Sequence, residues 1–158
     1  MNTPDPEKAE SSGLATGAQI IAAGVLPAKL QTVTSEVLAR LLNGERLTAI
    51  DAVHEASTTR LSAVVHYLES DYRWTIERHD KATGCRDGRV AWVAEYWIES
   101  GIAARALAAG AEAWCKQVRE ARRKLRTKAA LAQRLAARAN KAAPSLPGQW
   151  GLFEGAAT

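Results

Sequence analysis

The chain has 158 residues, 47% of them hydrophobic and 24% charged, with a formal net charge of +4, which suits one domain with appendages and an ordinary soluble core. No run approaches the roughly eighteen apolar residues of a membrane span. Ala18 to Leu26 lacks the basic start of a secretion signal, so the expectation is a cytoplasmic protein with no membrane partner. Cys85 and Cys115 have no Cys-x-x-Cys or Cys/His spacing, which points to two free thiols rather than a zinc site or a disulfide framework.

Residues 1–28 hold three of the five prolines and several Ser and Gly residues, a composition that reads as a mostly disordered leader, with at most one loose helical turn over Ala18 to Leu26. From Gln31 the pattern firms. Thr32 can cap a helix whose apolar positions are Val33, Val37, Leu38, Leu41 and Leu42, and Asn43-Gly44 is a stop signal.

The stretch from Leu47 to Leu68 reads as two short helices joined by a tight turn. Thr48, with Asp51 three residues on, can cap a helix over Ala49 to Glu55 in which Ile50, Val53 and His54 share a face. Ala56-Ser57-Thr58-Thr59 supplies caps for a second helix, where Leu61, Val64, Val65 and Leu68 recur at i, i+3, i+4 and i+7. Thr59, Arg60, Ser62, Ala63 and His66 are left facing out. This is the pattern of a helix-turn-helix reader of DNA, and equally that of a helical hairpin that merely packs.

After Leu68 the period changes, and Trp74 to Arg78 alternates apolar with polar as a half-buried strand does. His79 to Arg89 carries two glycines and an Asp-Gly pair before the β-branched and aromatic run Val90 to Ile98, so a hairpin with a long tip is expected. Three helices followed by a hairpin make a winged helix over residues 30–100. Lys81, Arg86 and Arg89 then stand in the wing where they can reach phosphate, although the interleaved Asp80 and Asp87 fit a merely solvated loop as well.

Leu47-Thr48-Ala49-Ile50-Asp51-Ala52, then Thr59-Arg60-Leu61-Ser62-Ala63-Val64-Val65, then Leu68 and a hairpin, resemble the helix-turn-helix domain of small phage and prophage proteins. The resemblance covers roughly residues 31 to 99. It departs at Asp71-Tyr72-Arg73-Trp74, where that family has Gly-Tyr, and at Val64, where it has a second Arg. What it implies is a DNA-binding fold carried by a phage or mobile element.

Residues 102–142 are rich in Ala, Arg and Lys without proline, which predicts one long basic helix. A heptad seam can be traced through Leu107, Ala111, Trp114, Val118, Ala121, Leu125, Lys128, Ala132, Leu135 and Ala139, broken only by Lys128. A homodimer through this coiled coil is the expectation. Charge is concentrated here: the segment carries eleven basic and two acidic residues, against eight and eleven over 30–101. Arg119, Arg122, Arg123 and Lys124, with Arg126 and Lys128, are therefore the expected phosphate grip, with a plain solvated helix as the alternative for any one of them.

Pro144, Pro147 and Gly148 end the helix and open a flexible tail over 143–158. Gln149-Trp150-Gly151-Leu152-Phe153 resembles the Gln-x-x-Leu-Phe peptide that docks on the bacterial β sliding clamp, which implies Gln149, Leu152 and Phe153 as partner-binding residues. The alternative is that Trp150 and Phe153 fold back on the protein's own core. No phosphate-cradling loop, nucleophile elbow or His-Glu-x-x-His occurs, and His79-Asp80 reads as a solvated pair, so no catalytic residue, metal or cofactor is expected.

The resulting expectation is a mainly α chain with a small β-hairpin: a winged helix-turn-helix followed by a long basic α-helix. Its function would be non-enzymatic DNA binding in regulation or replication, inside a bacterial host cell. The alternatives are an adaptor docking on the host sliding clamp and a coiled-coil structural assembly protein.

Overall fold

The computed structural model describes residues 19–142, which divide into two units after Arg123. The fold is mixed α/β with small antiparallel sheets. At the centre of the first unit is α1 (Val33–Leu42), buried on most of its circumference by Val37, Leu38, Ala39, Leu41 and Leu42. Its limits are local. Thr32 accepts a hydrogen bond from the Ser35 amide at 3.2 Å, and the chain leaves through Asn43 and Gly44, the latter at φ 85 where a side chain would be strained.

Residues 19–28, expected as part of a disordered leader, instead begin with the hairpin β1 (Gln19–Ile21) and β2 (Gly24–Leu26). Val25 and Leu26 are buried. Three distant groups fix the hairpin, which is why composition concealed it. The Val25 amide donates to Tyr72 O at 2.8 Å, Trp74 Nε1 donates to Val25 O at 2.8 Å, and Trp114 Nε1 donates to Pro27 O at 3.0 Å.

Strand β3 (Leu47–Thr48) leads into α2 (Ala49–Ala56), and Thr48 serves both the sheet and the helix. Its hydroxyl accepts from the Asp51 amide while its own amide donates to Asp51 at 2.9 Å, a complete capping box. The buried face of α2 is Ala52 and Ala56, not the Ile50 and Val53 face: those two are 55% and 43% exposed. Alanine lets the short helix approach closely, and the larger groups turn outward.

Ser57 takes the left-handed conformation at φ 58, and α3 (Leu61–Ser70) follows with Leu61, Val65 and Leu68 buried as the spacing predicts and Val64 partly so. The hydroxyl residues before it do not cap it. Arg60 occupies the N-cap position without a side-chain bond, and Thr58 Oγ1 accepts from the Arg60 amide instead.

Trp74 and Ile76 are buried as expected but lie before the strand, outside regular secondary structure. β4 runs Glu77–Gly84 and pairs with β5 (Val90–Trp97) from Glu77↔Trp97 to Gly84↔Val90. The long tip expected over 79–89 is thus mostly ladder, and only Cys85 to Arg89 remain as turn, closed by Gly88 at φ 83. The sheet order is β3-β5-β4.

The single helix expected over 102–142 is interrupted. α4 (Ser100–Ala106) passes through a π-type segment (Leu107–Ala111), where Gly110 at φ 113 breaks the helical path, into α5 (Glu112–Arg126). Thr127 and Lys128 then form a turn before α6 (Ala129–Ala142), which has no buried residue. Trp114, Cys115 and Val118 are buried within the first unit, so this part of the predicted coiled-coil seam is already covered by the chain itself. Burial pushes the Cys115 thiol up to about 11.

Gly24 is required by a close approach. A Cβ there would lie 2.7 Å from two ring atoms of Trp74, and the residue sits at φ 156. Gly24→Ala should therefore lower stability by about 1–3 kcal/mol, through displacement of Trp74, as read from denaturant midpoints.

Candidate nucleic-acid interface

The surface of α3 carries the groups left outward by the burial of Leu61, Val65 and Leu68. Thr59, Arg60, Ser62 and His66 are all exposed, with Ala63 among them. Among the described residues the Arg60 guanidinium makes no ion pair. Tyr67, on the flank of this face, stands edge-on to Tyr72 with ring centroids 5.3 Å apart.

The β4–β5 hairpin is less basic than its sequence suggests, because its cations are matched at home. Lys81 lies within β4, not at the tip, and its Nζ donates to Glu95 Oε1 at 2.9 Å. Arg89 Nε donates to Asp87 at 2.6 Å, and Arg78 pairs with Asp80 at 3.4 Å. Arg86 is exposed at the tip without an ion pair among the described residues.

Glu95 is the centre of a cluster that a linear reading misses. Its side chain is 8% exposed and meets Lys81, His79 Nε2 at 3.3 Å and Arg46 at 3.6 Å. Arg46 also lies over the Trp97 ring at 4.6 Å, and His79 meets the same ring edge-on. The alternation of β5 places Glu95 and Trp97 on one face, but Arg46 arrives through the β3–β5 ladder, which no local pattern discloses. The Lys81 hydrogen bond, helped by the charges of Lys81, His79 and Arg46 and opposed by burial, holds the Glu95 carboxyl below the usual glutamate range.

Of the basic residues expected to grip phosphate from α5, Arg122 is corrected outright. Its side chain is 13% exposed; it pairs with the buried Glu36 and donates to Gln31 O at 3.1 Å and Ala56 O at 3.3 Å. It thus joins α5 to α1 and to the carbonyl end of α2, where a cation is favoured. Arg40 assists from α1, reaching Glu36 at 3.4 Å, Glu45 at 2.9 Å and Glu55 at 3.1 Å. Arg119 is exposed, with its Nε on Cys115 O at 3.4 Å, and Arg123 is paired with Glu120 at 3.0 Å. Lys124 opens the second unit. Gln149, Leu152 and Phe153 lie outside the described residues.

Among the described residues no group of three or more His, Cys, Asp or Glu is placed to hold a metal ion, and no helix is long and apolar enough to cross a membrane. No protein-family model matches the chain, and comparison with curated proteins returns no match.

Removing Arg122 takes from the buried Glu36 carboxylate the guanidinium that meets it from α5. Arg122→Gln should cost about 2–4 kcal/mol in chemical denaturation at neutral pH. The depressed Glu95 pKa stabilises the fold above the ordinary glutamate value, and that contribution is lost as pH falls through the ordinary value toward the folded one. From about pH 5 to pH 3 the parent protein should lose more stability than Glu95→Gln does, as denaturant midpoints at each pH would show.

Proposed function

We propose that residues 33–97 form a winged helix-turn-helix and that the protein is a non-enzymatic DNA-binding protein, with α3 as the reading helix and the β4–β5 hairpin as the wing. The observation that carries this reading is the element order α1, β3, α2, α3, β4, β5, closed by the β3-β5-β4 sheet and presenting Ser62, Ala63 and His66 beside Arg60 on the outer side of α3. A helix face of small and polar side chains can approach base edges in a major groove, and a guanidinium at its start can pair with a guanine edge or a phosphate. The phage or mobile-element origin rests on the sequence resemblance alone.

Electrostatic support comes from the second unit. From Lys124 to Ala142 the sequence has six basic residues and no acidic one, and α6 sets Arg134, Arg138 and Lys141 at i, i+4 and i+7. Such a run suits counterion release on a polyanion. The sliding-clamp reading of Gln149, Leu152 and Phe153 rests on their spacing and is a separate proposal. A homodimer would have to use what remains of the heptad seam beyond Val118.

Fluorescence anisotropy against a selected duplex and a random one, across a salt series, tests the reading. Arg60→Ala should cost roughly 1–3 kcal/mol on the selected site and little on random DNA. Arg134, Arg138 and Lys141 changed together to Gln should flatten the salt slope on both by up to about three phosphate equivalents. Undiminished affinity in both variants would remove α3 and α6 from the interface.

A further inference from the structure

A cleft of about 480 Å³ opens between the β1–β2 turn, the segment joining α3 to β4, and α4. Ile21, Val25, Ile102 and Ala109 give it apolar walls, and its charged lining groups are Arg73 and Arg105. Among the described residues no acidic one lines it. Among the described residues neither guanidinium makes a hydrogen bond or an ion pair. The carboxylate nearest in sequence to Arg105, that of Glu99, feels its charge but accepts from the Gly101 and Ile102 amides at 3.0 and 3.2 Å as the cap of α4.

The placement of Arg73 is also constrained. It sits at φ 58, a conformation uncommon for a non-glycine residue, between Tyr72, whose carbonyl accepts from Val25 N at 2.8 Å, and Trp74, whose amide donates to Leu68 O at 3.1 Å. Two uncompensated cations on a concave, partly apolar wall focus positive potential there. Guanidinium forks match carboxylate and phosphate oxygens, and the volume falls in the range of small-ligand sites.

We infer that this cleft binds a small amphiphile with a compact anionic head, carboxylate or phosphate monoester, its head at Arg73 and Arg105 and its apolar body against Ile21, Val25 and Ile102. An inorganic anion would leave the apolar wall unused. An uncharged chain would leave both guanidinium groups unpaired.

Calorimetry and methyl NMR on the full chain test this, with octanoate and octyl phosphate as probes and octanol and inorganic phosphate as controls. One equivalent of at least one anionic amphiphile should bind, shifting the Ile21 and Ile102 methyls, and the tighter of the two identifies the head. Arg73→Gln and Arg105→Gln should each weaken binding about tenfold, with circular dichroism unchanged because both side chains are exposed. The inference fails if neither probe binds, if octanol or inorganic phosphate binds as tightly, if both variants retain full affinity, or if the shifts centre on Leu131 and Leu135 of α6.

Discussion

Helix α1 carries a carboxylate into the interior, and the arrangement around it follows from that charge. A carboxylate removed from water is penalised by several kcal/mol unless it is paired and hydrogen-bonded, and the Glu36 side chain is only 6% exposed. Arg122 meets it from α5 and Arg40 from the next turn of α1. The same two arginines reach the end of α2, through Ala56 O and through Glu55. One buried charge thus connects α1, α2 and α5 through its two arginines. Apolar burial of Trp114, Cys115 and Val118 supplies the area that holds α5 down, while the ion pair sets its register.

Local signals in the sequence were reliable where the physics is local. Thr32, the Thr48–Asp51 box and the Asn43-Gly44 stop act within one helical turn, and each stands where the spacing placed it. The face of α3 was legible for the same reason. Arg122 is not legible in the same way: the seam holds through Ala111, Trp114 and Val118, but the buried face also includes Cys115 and continues to Arg122, whose partners Glu36, Gln31 and Ala56 lie far along the chain. Trp74 and Ile76 are buried as their alternation predicts but are not strand: Trp74 is held by Val25 of the β1–β2 hairpin and Leu68 of α3 rather than by a ladder. That hairpin had no local signature at all: its bonds reach Tyr72, Trp74 and Trp114, far along the chain.

Ion pairing redistributes the charge that composition suggested. Within the hairpin Arg78, Lys81 and Arg89 are matched by Asp80, Glu95 and Asp87, so these cations work first as braces. Exposed pairs of this kind contribute little individually, but the Glu95 cluster differs because its carboxylate is largely covered and two cations, Lys81 and Arg46, converge on it with the His79 imidazole. It ties β3, β4 and β5 together at the root of the hairpin, close in sequence to the start of α2. A hairpin so braced presents a narrow basic tip, Arg86, rather than a broad basic surface.

For a nucleic acid, α6 offers a run of cations, Arg134, Arg138 and Lys141, with no acidic side chain on the same helix. α6 carries Leu131 and Leu135 exposed beside Arg134, Arg138 and Lys141, with no acidic side chain anywhere on it. A second copy of α6 could cover the two leucines, but it would bring three more cations into the same pairing and no anion to offset them. Like charges at neighbouring helical positions are destabilising, and two leucines per helix bury little area to offset it. A polyanion matches the charge without that opposition, and the exposed leucines then need no partner, since single apolar residues on a surface are ordinary. On this reading α6 contributes affinity without sequence preference, and discrimination falls to Arg60, Ser62 and His66 on α3.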